Sequence, residues 1–226
     1  MQERKTTPLT EMPVKELIKR SIFLLAALFV MAFGVAFSIK GDLGTSPISS
    51  FPYAVSLITP LTVGQATIAL HCILIASQIL LLRKQYDPFQ LLQLPAALVF
   101  GLLTDFALNV ISDLSPSSYA GQWRLCIIGL ILVAVGVSME VTSKIVTLAG
   151  EGFVLAFCKV APIKFSNMKV CFDVSLVALA CITSFTFLHA IEGVREGTVA
   201  AAVLVGLLTK QLNKWMAKFE KRYLCS

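Results

Sequence analysis

Apolar positions fall in long runs along the chain, and the polar positions between them come in short clusters. A helix needs about 20 predominantly apolar residues to cross the hydrocarbon core of a bilayer. Six runs are of that order: residues 21–39, 63–82, 89–111, 125–141, 168–188 and 198–215. The connections 41–61 and 143–164 each hold a shorter, moderately apolar stretch, 48–58 and 153–160, too short to cross.

The runs repeat. Residues 96–104 read Ala-Ala-Leu-Val-Phe-Gly-Leu-Leu-Thr, and 201–209 read Ala-Ala-Val-Leu-Val-Gly-Leu-Leu-Thr. Gly34-Val35 near the end of the first run matches Gly136-Val137 in the fourth. An odd number of spans per half makes the halves enter the membrane from opposite sides, a frequent transporter architecture with its site near the midplane. The expectation is an all-α integral membrane protein of six transmembrane helices in two inverted three-helix repeats, each with a short re-entrant half-helix. The repeats cover 21–111 and 123–215. An external linker at 112–122 joins them, a cytoplasmic segment at 1–20 precedes them, and a basic cytoplasmic tail at 216–226 follows.

Composition points the same way: 57% of the 226 residues are hydrophobic and 14% charged, against about 25% charged in a soluble domain. The net charge of +6 does not call for a nucleic-acid partner, because Lys and Arg gather where topology signals sit. Lys15, Lys19 and Arg20 precede the first run, Arg83 and Lys84 follow the second, Lys144, Lys159 and Lys164 follow the fourth, and Lys210, Lys214, Lys218, Lys221 and Arg222 close the chain. Residues 112–122 have neither, and 189–196 only Arg195. With six spans these segments alternate consistently and place both termini in the cytoplasm. The six cysteines form no C-x-x-C pair, and residues 1–19 lack the apolar core of a signal peptide.

Candidate chemistry lies at the two interrupted connections. In Gly44-Thr45-Ser46-Pro47, a hydroxyl cap and a proline at the first helical position would start a short helix whose free N–H groups attract anions. An ordinary external loop with a capped surface helix explains the same residues. The repeat partner is Gly150-Glu151-Gly152. Glu151 either complements a helix start at the surface or binds a proton, a cation or a substrate amine. Gln65 and Asn167 follow the starts of the next helices. Aligning Gly64 with Ser166 places His71 opposite Asp173, a pair able to relay protons if it faces a cavity. Asp105 and Glu140 are the other acids in apolar runs, and interfacial placement also accounts for them. Walker, H-E-x-x-H and G-x-S-x-G patterns are absent, so no enzyme, metal or cofactor is expected.

Gly44-Thr45-Ser46-Pro47, Leu61-Thr62-Val63-Gly64-Gln65 and Arg195-Glu196-Gly197-Thr198 resemble the bacterial YitT/YczE membrane proteins, over residues 30–208. Family members often carry an aromatic residue after the proline, where this chain has Ile48. The resemblance implies a multi-pass inner-membrane protein of a family mostly regarded as transporters, and gives weight to Arg195, Glu196 and Thr198. The function expected is a secondary carrier for a small polar or anionic solute. Substrate would sit at Gly44, Thr45, Ser46, Gln65, Gly150, Glu151, Gly152 and Asn167, and coupling at Glu151, Asp173, His71, Asp105 and Glu140. The alternatives are a substrate-binding subunit docking to a separate ATPase module, or an ion channel. The expected partners are the solute and the lipid bilayer, and a homo-oligomer fits the sequence without a defined dimer face.

Overall fold

A computed structural model describes residues 12–224; residues 1–11 of the expected N-terminal cytoplasmic segment, and the last two residues of the tail, lie outside the described residues. Among the described residues there are eight α-helices: α1 (Val14–Lys40), α2 (Pro47–Ile58), α3 (Val63–Leu82), α4 (Gln93–Val110), α5 (Tyr119–Ser143), α6 (Ala149–Val160), α7 (Phe165–Leu188) and α8 (Glu196–Phe219). A π turn, Glu220–Leu224, ends them. Both interrupted connections are helical, and each short helix has 12 residues.

Five helices, α1, α3, α4, α5 and α7, are long and apolar enough to cross a membrane. Five of the six expected spans coincide with these helices. The sixth, 198–215, falls in α8, which has the length, but Lys210, Lys214 and Lys218 recur at each turn of its second half and dilute its apolar character.

Local chemistry explains several boundaries. Thr62 and Gln65 form a reciprocal capping box at the start of α3. Pro47 supplies the preset φ of a first helical residue in α2. The turns after α1 and α5 use left-handed residues at matching places, Asp42 (φ 53°) and Lys144 (φ 55°).

Packing divides the helices into two bodies with separate apolar cores. In the first, α1 packs along α5, with α4 against α1 and α8 against α5. Leu28, Met31, Val35, Phe100 and Val133 fill its core. In the second, α2 packs on α7 and α6 on α3, around Leu70, Leu74, Val154, Phe172 and Leu176. The bodies meet chiefly through α3 against α4.

Close approach in the first body depends on small residues, as membrane helix pairs do. A Cβ on Gly34 would lie 2.7 Å from the Val133 nitrogen and 2.8 Å from the Gly129 carbonyl oxygen, and one on Gly136 would lie 2.9 Å from the Met31 nitrogen and 3.0 Å from the Ala27 carbonyl oxygen. The small-residue spacing at Gly129 and Val133 is thus spent inside the chain.

At one end of this body, Arg20 is buried at 2% exposure. It bonds Glu16 at 2.8 Å, Glu220 at 3.0 Å and the carbonyls of Thr142 and Ser143 at 3.3 and 3.2 Å. Lys144 pairs with the same Glu220.

Candidate functional site: two helix tips that meet

The short helices start close together. The side chain of Ile48, second residue of α2, rests on Gly150, second residue of α6, so closely that a Cβ at Gly150 would displace the tip of the Ile48 side chain. Phe51, Phe153 and Phe172 pack around this contact with Leu70 and Leu74 of α3, and the Phe153 and Phe172 rings lie 5.5 Å apart. An apolar plug therefore separates the polar groups at one tip from those at the other.

The α2 tip is lined by hydroxyls. Thr45 and Ser50 are fully buried, and Ser49 nearly so. Ser46 Oγ donates to Ser49 Oγ at 3.1 Å, and Ser50 Oγ to the Pro47 carbonyl at 2.7 Å. The approach to this tip is pinned by the start of α8. Thr45 N–H donates to the Gly193 carbonyl at 3.2 Å, and Gly197 N–H to the Leu43 carbonyl at 2.7 Å. Gly44 adopts φ 91°, a conformation open chiefly to glycine, and a Cβ there would run into Thr198 Oγ1 and the Arg195 nitrogen. Arg195 donates to the Asp42 carbonyl at 2.9 Å and lies 3.7 Å from the Asp42 carboxylate. Glu196, exposed, reaches Arg195 at 3.5 Å. Gly44, Thr45, Arg195 and Thr198 are thus brought together, as a brace for the α2 tip.

The α6 tip is lined by amides and carboxylates. Glu140 of α5, 3% exposed, accepts the Leu148 N–H at 2.6 Å. A protein carboxylate thereby occupies the seat that a helix start offers to an anion. Glu151, half-buried, interacts electrostatically with Glu140 on one side and with Lys169 and Asp173 on the other. Lys169 and Asp173 are ion-paired at 2.7 Å. Over Gly152 sit two buried amides, with Gln78 Nε2 donating to Gln93 Oε1 at 3.0 Å and to the Ala149 carbonyl at 3.2 Å.

Other expected residues lie apart from both tips. Gln65 uses its side-chain oxygen on the Thr62 N–H at 3.1 Å. Asp105 caps the start of α3, accepting from Thr62 Oγ1 at 2.6 Å and Gly64 N at 2.7 Å. Asn167 is exposed beside Ser166. His71 and Asp173 hold matching positions, each the ninth residue of its helix, but no hydrogen bond joins them among the described residues. His71 is buried against Phe100 with Nδ1 unpartnered, while Asp173 is taken by Lys169.

Sequence patterns do not single out Gln78 and Gln93, whose one signal is a glutamine within or bordering an apolar run. Nor do they announce the Ile48–Gly150 contact, which belongs to no single-residue motif. An open pocket of about 530 Å³ lies away from the α6 tip, lined by Lys40, Asp42, Tyr53, Asn109, Ser115 and Gln122 among others.

Over residues 18–214 the chain matches a family described as "Family of unknown function (DUF6198)". The chain belongs to this family. It is also 31% identical over 130 residues to the uncharacterized membrane protein YczE of Bacillus subtilis (strain 168), an alignment covering 57% of this chain and 58% of that relative. The chain thus matches less than two thirds of the relative's length. No solved structure matches it. The resemblance to the YitT/YczE membrane proteins therefore holds, and the apolar helices agree with a membrane protein. The residues that carried the resemblance have structural work here: Thr62, Gly64 and Gln65 build the start of α3, and Gly44, Arg195 and Thr198 brace the start of α2.

Proposed function

We propose that the protein is a secondary carrier, moving a small polar or anionic solute across the bacterial inner membrane by alternating access between two inverted repeats. The observation that carries this reading is the Ile48–Gly150 contact. The two residues hold the same position in helices of equal length, so matched residues touch, as they do on a two-fold axis. The glycine contacts of α1 and α5 support the same axis, because Gly34 meets Gly129 and Val133 just as Gly136 meets Ala27 and Met31. Each pair of partners is displaced by the interval that relates the glycines.

A two-fold axis that reverses three long helices per half requires α8 to serve as the sixth span, its lysines reaching the cytoplasmic interface by snorkelling. Both termini are then cytoplasmic. α2 and α6 become re-entrant half-helices whose starts meet near the midplane, where irregular backbone is tolerated only if buried in protein or lining a cavity. The hydroxyl-lined α2 tip receives the solute, and Glu151 at the α6 tip carries the coupling charge. The two bodies supply the moving parts, one shifting against the other across α3–α4 and α7–α8. The chain works without enzymatic chemistry or cofactor in this reading, with the bilayer and the solute as its partners.

The test is solute flux and solute-evoked current on purified protein in liposomes. The panel would hold amino acids, organic anions and inorganic anions, with and without a pH gradient. A saturable flux that Glu151→Gln abolishes is expected. No flux from any solute in a folded sample would remove the carrier reading and favour a subunit that docks to a separate ATPase. A current that never saturates would favour a channel.

A further inference from the structure

Charge at the α6 tip does not balance. Three carboxylates, Glu140, Glu151 and Asp173, gather there with one ammonium, Lys169. Lys169 is taken by Asp173 at 2.7 Å. Among the described residues neither Glu140 nor Glu151 forms an ion pair, and the hydrogen-bond partner of Glu140 is a neutral backbone N–H. A buried charge without a partner is strongly disfavoured, and ionisable groups inside membrane bundles mark ion pathways.

An independent observation comes from a neutral side chain. Gln78 is fully buried. Its Nε2 faces two acceptors, Gln93 Oε1 and the Ala149 carbonyl, which fixes the orientation of the amide. Its Oε1 is left with no hydrogen-bond partner. That oxygen lies over Gly152, where an added Cβ would meet it at 2.9 Å, one residue along α6 from Glu151. An unmet buried acceptor destabilises the fold unless a ligand satisfies it. An amide oxygen beside carboxylates is also the donor type that hard cations take.

We propose that the α6 tip binds one monovalent cation, held between the carboxylates of Glu140 and Glu151 and the amide oxygen of Gln78. The groups facing the site are Gln78 from α3, Gln93 from α4, Glu140 from α5, Glu151 from α6, and Lys169 and Asp173 from α7. His71 of α3 lies against Phe100, outside this set. The cation is a sodium ion or a proton, and both neutralise the same pair of carboxylates. The site names the coupling ion of the carrier reading and rests on that reading only for the ion's passage, not for its binding.

Thermal unfolding and calorimetric titration of the purified protein in nanodiscs, in sodium chloride against choline chloride at equal ionic strength, test it. Sodium is expected to raise the unfolding midpoint saturably in the unsubstituted protein, a comparison that depends on no variant folding. Glu151→Gln should abolish the response, and Gln78→Ala should weaken apparent affinity by about tenfold or more. If the ion is a proton, the two salts behave alike, and the protein takes up a proton that Glu151→Gln does not. The absence of both a sodium response and a Glu151-dependent proton overturns the proposal. Cation binding without solute flux in liposomes upholds the site and removes the carrier reading. Flux without cation binding does the reverse.

Discussion

The α3–α4 and α7–α8 pairs occupy corresponding places in the two halves and pack very differently. α3 and α4 are locked at Gly64 and Gly101, where a side chain on Gly101 would meet the Gly64 carbonyl oxygen at 2.7 Å. In α8, Gly206, which matches Gly101 in the repeated sequence, has nothing within 4 Å. Half as much of α7 as of α3 is buried, and Val199, Val203 and Leu207 of α8 are exposed. The difference has a local cause: even a Cβ on Gly64 would run into the Gly101 carbonyl oxygen, and Ser166, which carries one, stands where α3 has Gly64. Shared sequence thus yields a shared helix without a shared interface. In the proposed carrier this inequality describes a state, with the bodies closed on each other along α3–α4 and parted along α7–α8.

The sharpest way to break the comparison is to enlarge the two glycines. Gly101→Val should cost about 3 kcal/mol or more, because the new atoms meet the Gly64 backbone as well as Ile68, and overpacking of a rigid site is at the upper end of its usual range. Gly206→Val, facing open space, should change stability by about 0.5 kcal/mol or less. Unfolding of both variants in the same lipid or detergent checks this. Equal losses would mean that α7 and α8 do pack, and would remove the asymmetry.

The second test concerns the helix starts. Asp105 of α4 ties down α3 through Thr62 Oγ1 and Gly64 N, whereas Lys164 at the start of α7 makes no side-chain cap. Asp105→Ala leaves two donors unmet and should cost about 1–3 kcal/mol. Lys164→Ala should cost a few tenths of a kcal/mol at most. The measurement is hydrogen exchange at the first turn of each helix. Protection should fall at 63–66 in the first variant and stay unchanged at 165–168 in the second. Equal effects would show that α7 is held at its start by contacts outside the α7–α8 pair.

Much of this contrast is legible in the amino-acid sequence. Hydropathy marks every long helix, since burial in lipid is a property of the run itself, and the short segments 48–58 and 153–160 stand out as apolar pieces too brief to cross. The match of Gly34 with Gly136 foreshadows the α1–α5 contact. What pattern reading does not supply is the partner of each polar group. Asp105 and Gln65 read as candidates for coupling and substrate, yet their bonds are to Thr62 and Gly64, local caps that only geometry reveals. Gln78 carries no motif, and its interest lies in an oxygen left without a donor. His71 and Asp173 each stand ninth in their helices, but no hydrogen bond joins them among the described residues, a fact that register alone does not reveal.

The smallest effect expected bears on what holds α8, given that α7 does not. Glu220, at the start of the π turn that follows α8, meets Arg20 of α1 and Lys144 after α5. Burial alone would raise its carboxyl pKa, but hydrogen bonds and charges from Lys144 and Arg20 outweigh burial and hold it below the ordinary 4.5. The folded protein then binds this proton less readily than the unfolded chain. The stabilisation is therefore full above that ordinary value and is lost as pH falls through the lowered one. The Lys144 side chain is 30% exposed and its pair with Glu220 is screened by solvent, so the contribution lost on acidification should be about 1 kcal/mol or less. Unfolding measured near pH 7 and again near pH 4 should show a larger loss for the unsubstituted protein than for Glu220→Gln, which has already given up the charge. Equal losses would mean that Glu220 contributes nothing to the pH dependence, and that α8 is held through its packing on α5 alone.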